Sequence, residues 1–113
     1  MTETTAFKIL TAEQWADWQA IGVLEGAPID LQDGFIHLSA ANQVRETAEK
    51  HFAGQHGLVL LEIDLQQLGD AVRWEQSRGG ALFPHVYAPI PLAAALSATA
   101  MSDAGYSPAR ISG

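Results

Sequence analysis

The sequence predicts one α+β domain with a mixed β-sheet and two main helices, and three observations lead there. Strand-like and helix-like segments follow one another as strand, helix, strand, helix, strand and then mostly strands. A chain of 113 residues has the usual size of one domain and can bury a real core. An apolar fraction of 48% with only 17% charged residues is that of a folded protein. Residues 1–113 therefore read as a single domain, with an ordered core over about 6–101 and a loose C-terminal tail over 102–113, where Gly, Ser and Pro gather.

Ala6 to Leu10 alternates Phe7 and Ile9 on one face with Lys8 on the other, as a strand does. Thr11 and Gln14 have capping-box spacing, and Leu10 and Trp15 stand at the two positions of a hydrophobic staple. A helix from about Ala12 to Ile21 follows, ended by Gly22, with Trp15 and Trp18 on one face as core. Gly22 to Gly34, broken by Gly26, Pro28 and the Asp33-Gly34 turn signal, reads as a long loop in which Asp30 and Asp33 cap local backbone donors. Gly34-Phe35-Ile36-His37-Leu38-Ser39 reads as a strand, with Ile36 and Leu38 facing the core and Phe35, His37 and Ser39 facing the other way. Ser39 or Asn42 caps a second helix to about Phe52, whose buried stripe is Val44, Thr47, Ala48, His51 and Phe52.

The near-continuous apolar run Leu58 to Asp64 is expected to be the middle strand of the sheet, covered on both faces. Asp64 caps the short turn Leu65 to Leu68, which Gly69 ends. Val72 to Glu75 is a further strand, with Val72 and Trp74 opposite Arg73 and Glu75, and Ser77 to Gly80 is a mobile connection. Phe83-Pro84-His85-Val86-Tyr87 repeats the first histidine stretch, with Phe83, His85 and Tyr87 on one face. Pro89 and Pro91 mark an edge or turn, Leu92 to Ala95 a helical turn opened by Pro91, and Leu96 to Met101 a last strand.

The two matched stretches suggest one cleft. His37, Ser39, Glu75, His85 and Tyr87 are its candidates, since imidazoles and carboxylates exchange protons or hold hydroxyls, and a tyrosine offers both a stacking face and a hydroxyl. A shared cleft requires the two imidazoles to lie within about 12 Å. His51 and His56 read as structural and solvated residues. A structural origin is open for each candidate: a strand histidine commonly ties backbone together, Ser39 can be a cap, and Glu75 a surface ion pair with Arg73.

A net charge of −7 from 13 acidic and 6 basic residues disfavours nucleic acid as a partner. The absence of cysteine excludes disulfides and thiolate chemistry. Met1 to Thr5 lacks the pattern of a signal peptide, and no run reaches the ~20 apolar residues of a membrane span, so a cytoplasmic protein without membrane contact is expected. No H-E-x-x-H, G-x-S-x-G, G-x-G-x-x-G or phosphate-loop motif is present. The candidates point to a small-molecule ligand. A non-catalytic interaction module displaying Trp or Tyr, and a metal-assisted hydrolase built on His37, His85 and Glu75, are the alternatives.

Phe7-Lys8-Ile9, Trp15, Asp33 to Ser39, Leu60 to Asp64, Trp74-Glu75 and Phe83 to Tyr87 with Pro89 together resemble a family of small bacterial proteins known as a domain of unknown function. Some of its members carry a glutathione S-transferase label, although nothing here looks like a thioredoxin-type glutathione-binding domain. More distantly, His37-Leu38-Ser39, the helix after it and the Leu58 to Asp64 strand look like the NAD-binding half of the RNA 2′-phosphotransferases. That resemblance implies an ADP-ribosyltransferase-type fold with a split sheet, and NAD or another nucleotide as ligand. It implies ligand-binding roles for Lys8, His37, Ser39 and Tyr87, and acid or base assistance from Glu75 and His85. The chain departs from those enzymes in lacking their extra N-terminal domain and their cluster of basic residues, and in being acidic.

Overall fold

The computed structural model describes residues 4–76 and 80–101. In chain order its elements are β1 (Thr5–Thr11), α1 (Ala12–Ile21), β2 (Val23–Leu24), α2 (Pro28–Asp33), β3 (Ile36–His37), α3 (Val44–His51) and β4 (Leu58–Asp64). There follow α4 (Leu65–Leu68), β5 (Val72–Gln76), β6 (Leu82–Val86), β7 (Ile90–Pro91) and β8 (Ala95–Ala100). The α+β class holds. The strands form three small sheets, β1-β4-β8, β2-β7 and β3-β6-β5. Every pairing among the described residues is antiparallel, which corrects the expected mixed sheet.

Thr11 caps α1 as its spacing predicts: its hydroxyl accepts from Gln14 N and the Gln14 side chain accepts from Thr11 N. Gly22 ends the helix at φ 91°, a conformation that glycine adopts without a Cβ penalty. The Asp64 carboxylate caps α4 through Gln66 N, and Gly69 closes it.

β4 is the middle strand, because its two faces bury different cores. Leu61 and Ile63 join Ala6, Leu10 and Trp18 in the larger cluster. Leu58 and Leu60 join Ile9 and Val44 in the smaller one, against which Ala48 and Phe52 pack. Burying a Leu or Ile side chain contributes about 1.5–3 kcal/mol, so a strand apolar on both sides is stable only inside such a sandwich. Thr47 and His51, the polar members of the α3 stripe, line a cavity instead.

Three expectations change. Gly22 to Gly34 is not a loop: it contains β2 and α2, with Pro28 in the first turn of α2 and Gly34 at its C-terminus with φ 88°. Neither Ser39 nor Asn42 caps the next helix, which starts through a 3-10 turn at Ala41–Gln43 where the Gln43 side chain accepts from Ala40 N. The strand expected over Gly34 to Ser39 pairs as a strand only at Ile36–His37. Most of the expected connection Ser77 to Gly80, and the tail from 102 on, lie outside the described residues. No helix among the described residues is long and apolar enough to cross a membrane.

Candidate functional site

The segment from Ile36 to Ser39 bridges two sheets. Ile36 and His37 pair with Val86 and His85 of β6, and Leu38 N still donates to Pro84 O at 3.0 Å. One residue on, Ser39 exchanges two 2.8 Å backbone hydrogen bonds with Phe7 of β1. Ile36 and Leu38 are buried, as their alternation predicts. Where the sheets part, a cavity of about 630 Å³ opens, lined by Lys8, His37, Ser39 and His85, with Asp33 of α2 and the rings of Phe7, Phe52 and Phe83 among its walls.

Register across the third sheet makes the polar row. Arg73, His85 and His37 are direct antiparallel partners on one face, while Val72, Val86 and Ile36 form the corresponding row on the other. The imidazoles of His37 and His85 lie 5.5 Å apart between ring centroids, well inside the distance a shared cleft requires. Phe35 completes the row, its ring stacked on His85 at 4.2 Å and tilted against His37 at 4.7 Å and Tyr87 at 5.2 Å.

His85 is buried at 5% exposure and its Nδ1 lies 2.7 Å from Glu75 Oε1. The Tyr87 hydroxyl donates to the same oxygen at 2.7 Å, and the Arg73 guanidinium lies over the Tyr87 ring at 5.1 Å. The Tyr87 hydrogen bond, then that from His85, holds the Glu75 carboxyl below its ordinary pKa, and the same Glu75 contact pushes the Tyr87 phenol up. An ionised Glu75 accepts the hydrogen on Nδ1, which leaves Nε2 of His85 as the nitrogen able to accept a proton. Glu75 and Tyr87 are absent from the cavity lining: they stand behind His85, with Tyr87 partly exposed.

At the other side of the row sits a charge cluster centred on Asp30, whose side chain is fully buried. Lys8 Nζ donates to Asp30 Oδ1 at 3.1 Å and to His37 O at 3.0 Å, and forms an ion pair with Asp30 Oδ2 at 2.8 Å. Ala27 N and His37 N donate to Asp30 at 2.7 and 3.1 Å. His37 Nδ1 lies 2.7 Å from Asp30 and its Nε2 3.0 Å from Asp33, so both ring nitrogens face acceptors. Burial alone would push the Asp30 carboxyl up; the His37 hydrogen bond and the Lys8 charge outweigh it and bring its pKa down to about 2. Burial pushes the Lys8 ammonium down, with Asp30 opposing.

Of the six predicted site residues, Lys8, His37, Ser39 and His85 meet at the cavity, and Glu75 and Tyr87 support it from behind. Ser39 is buried and its hydroxyl lies 3.0 Å from that of Thr47. Asp30 goes beyond the local cap expected of it: it does accept from Ala27 N, and it also joins β1, α2 and β3. Pro28 at the first position, Asp30 two residues later and Gly34 at the end are start and stop signals of its helix, outweighed in the sequence by the turn residues around them. Its reach to Lys8 lies 22 residues away and has no sequence signal. Trp18 is buried, and Trp15 and Trp74 are half-buried and pack on the core. Among the described residues no group of three or more His, Asp or Glu is placed to hold a metal ion; the trio His37, His85 and Glu75 is not such a group.

Among curated proteins none matches this chain significantly. It is similar to protein CC0527 from Caulobacter crescentus: the crystal structure of that protein matches with a TM-score of 0.85 and 44% identity, over 91% of this chain and 92% of that one. The solution NMR structure of CC0527 matches with a TM-score of 0.79 and 43% identity, over 92% of this chain and 91% of that one. The model of the family described as "protein of unknown function (DUF952)" matches residues 9–98, and the chain belongs to that family.

Proposed function

We propose that this protein binds a small ligand with a flat ring and hydroxyl groups in the cleft between the His37 and His85 strands, and that His85, backed by Glu75, serves as its acid or base. The observation that carries this is the 2.7 Å contact between Glu75 and Nδ1 of a buried histidine on the cavity wall. A carboxylate that fixes one imidazole nitrogen orients the other and supports the charge it gains on taking a proton. Tyr87 then acts on Glu75 and not on the ligand, since its hydroxyl is spent there.

A volume of about 630 Å³ lies within the range of small-molecule sites, and the rings of Phe7, Phe52 and Phe83 suit a flat heterocycle. His37 and Ser39, both on the cavity wall, would position a ribose. A nucleoside, or NAD as the resemblance to the ADP-ribosyltransferase-type fold implies, fits this description, and a transferase-like reaction at the ribose is the activity it supports.

Thermal unfolding and imidazole ¹⁵N NMR in the presence of NAD, ADP-ribose and adenosine test this. At least one compound should raise the unfolding midpoint and shift the His85 resonances, with the shift lost in Glu75→Gln. Unmoved midpoints and imidazole signals with all three would overturn it.

A further inference from the structure

Among the described residues, the polar end of the cavity has no unpaired lysine or arginine to offer. Lys8 is the only lysine or arginine among the described residues of the lining, and it is held by its ion pair with Asp30 and its hydrogen bond to His37 O. Arg73 is held over the outer face of Tyr87, and Arg45 lies on exposed α3 surface beside Glu49. Against Lys8 stand Asp30, Asp33 and Glu75. Arg73, in the same row, offsets Glu75, so with neutral imidazoles Lys8, Asp30 and Asp33 leave this end net negative. His51, one helical turn past Thr47, is a further imidazole of the lining.

We infer that this site selects an uncharged ligand, a nucleoside or its free base and ribose portion, and discriminates against the phosphorylated form. The inference rests on the binding site proposed above and narrows its ligand class. A phosphate brought to the histidine row would face the Asp33 carboxylate with no free ammonium or guanidinium among the described residues to offset it. Hydroxyls meet no such penalty, because His85 Nε2 and the Ser39 hydroxyl can exchange hydrogen bonds with them. For a dinucleotide such as NAD, the ring and ribose can enter while the pyrophosphate has to remain outside the polar end.

Matched pairs that differ only in charge provide the test: adenosine with adenosine 5′-monophosphate, uridine with uridine 5′-monophosphate, and benzamide with benzoate, titrated into the protein and followed by calorimetry and by the imidazole resonances of His37 and His85. The neutral member of each binding pair should bind at least about tenfold more tightly, and Asp33→Asn, which removes the exposed carboxylate, should narrow that ratio. A charged member that binds as tightly as its neutral partner, or a ratio that Asp33→Asn leaves unchanged, overturns the charge selection while leaving the site intact. If none of the six compounds moves either imidazole, the site itself is wrong and the selection falls with it.

Discussion

Replacing Asp30 by alanine removes the carboxylate on which β1, α2 and β3 converge. Four donor groups lose that carboxylate at once: the Lys8 ammonium, Ala27 N, His37 N and His37 Nδ1. An unpaired ammonium at 8% side-chain exposure is the dominant loss, since breaking a buried pair from one side costs about 3–5 kcal/mol. That is a large part of a small domain's total stability of about 5–15 kcal/mol. Lys8→Met should be milder, because Asp30 keeps its donors from Ala27 and His37. Acid supplies a second reading of the same contacts. The Asp30 carboxyl falls from 3.8 to about 2 on folding, so the folded state binds its proton less readily than the unfolded state. Its contribution is therefore fully present above the unfolded value of 3.8 and disappears as pH falls toward about 2. A shift of that size corresponds to about 2.5 kcal/mol. Urea denaturation at 25 °C across this range, on wild type, Asp30→Ala and Asp30→Asn, measures both effects. Wild type should lose about 2.5 kcal/mol more than Asp30→Asn over the acid limb. Parallel acid limbs, or an Asp30→Ala penalty under about 1 kcal/mol, would refute the assignment of Asp30 as the electrostatic hub.

Other consequences are equally direct. Gly26 has φ +129° and a Cβ there would lie 2.8 Å from Asp30 Cβ, so Gly26→Ala should destabilise more than Gly54→Ala, where φ is +79° and the space is open. Strain alone accounts for about 1–2 kcal/mol at Gly54, and equal unfolding midpoints for the two variants would contradict the Asp30 contact. Trp18 is buried and its Nε1 has no hydrogen-bond partner, so Trp18→Phe sheds an unsatisfied donor along with some volume. Its penalty should stay below about 2 kcal/mol, against about 3–5 for Trp18→Ala, and calorimetric midpoints that place the two variants together would argue for a satisfied indole.

Local chemistry is legible in the sequence. The Thr11 capping box, the Gly22 stop, the Asp64 cap and the both-sided apolar run of β4 each depend on residues within a few positions of one another, and each stands as the sequence implied. The short helix α2 was hidden because its six residues carry no full apolar period and Gly26 and Pro28 suggest a loop, although Pro28, Asp30 and Gly34 hold its start and end signals. Ser39 was expected to be a cap or a ligand-facing residue; it lines the cavity, but its hydroxyl meets Thr47, a partner set by how α3 lies across the sheet.

By itself the sequence determined the α+β class, the order of the main elements and which faces of Phe35 to Ser39 and Phe83 to Tyr87 carry polar groups, because side-chain alternation and helix caps are short-range. Only the tertiary structure decided that β3 and β6 pair with His37 opposite His85, that Glu75 and Tyr87 stand behind the histidine instead of in the cavity, and that Asp30 and Lys8 neutralise each other beneath His37. Those outcomes depend on strand register and on buried charges finding partners across 22 residues of chain, and no local pattern encodes a pairing that only burial makes obligatory.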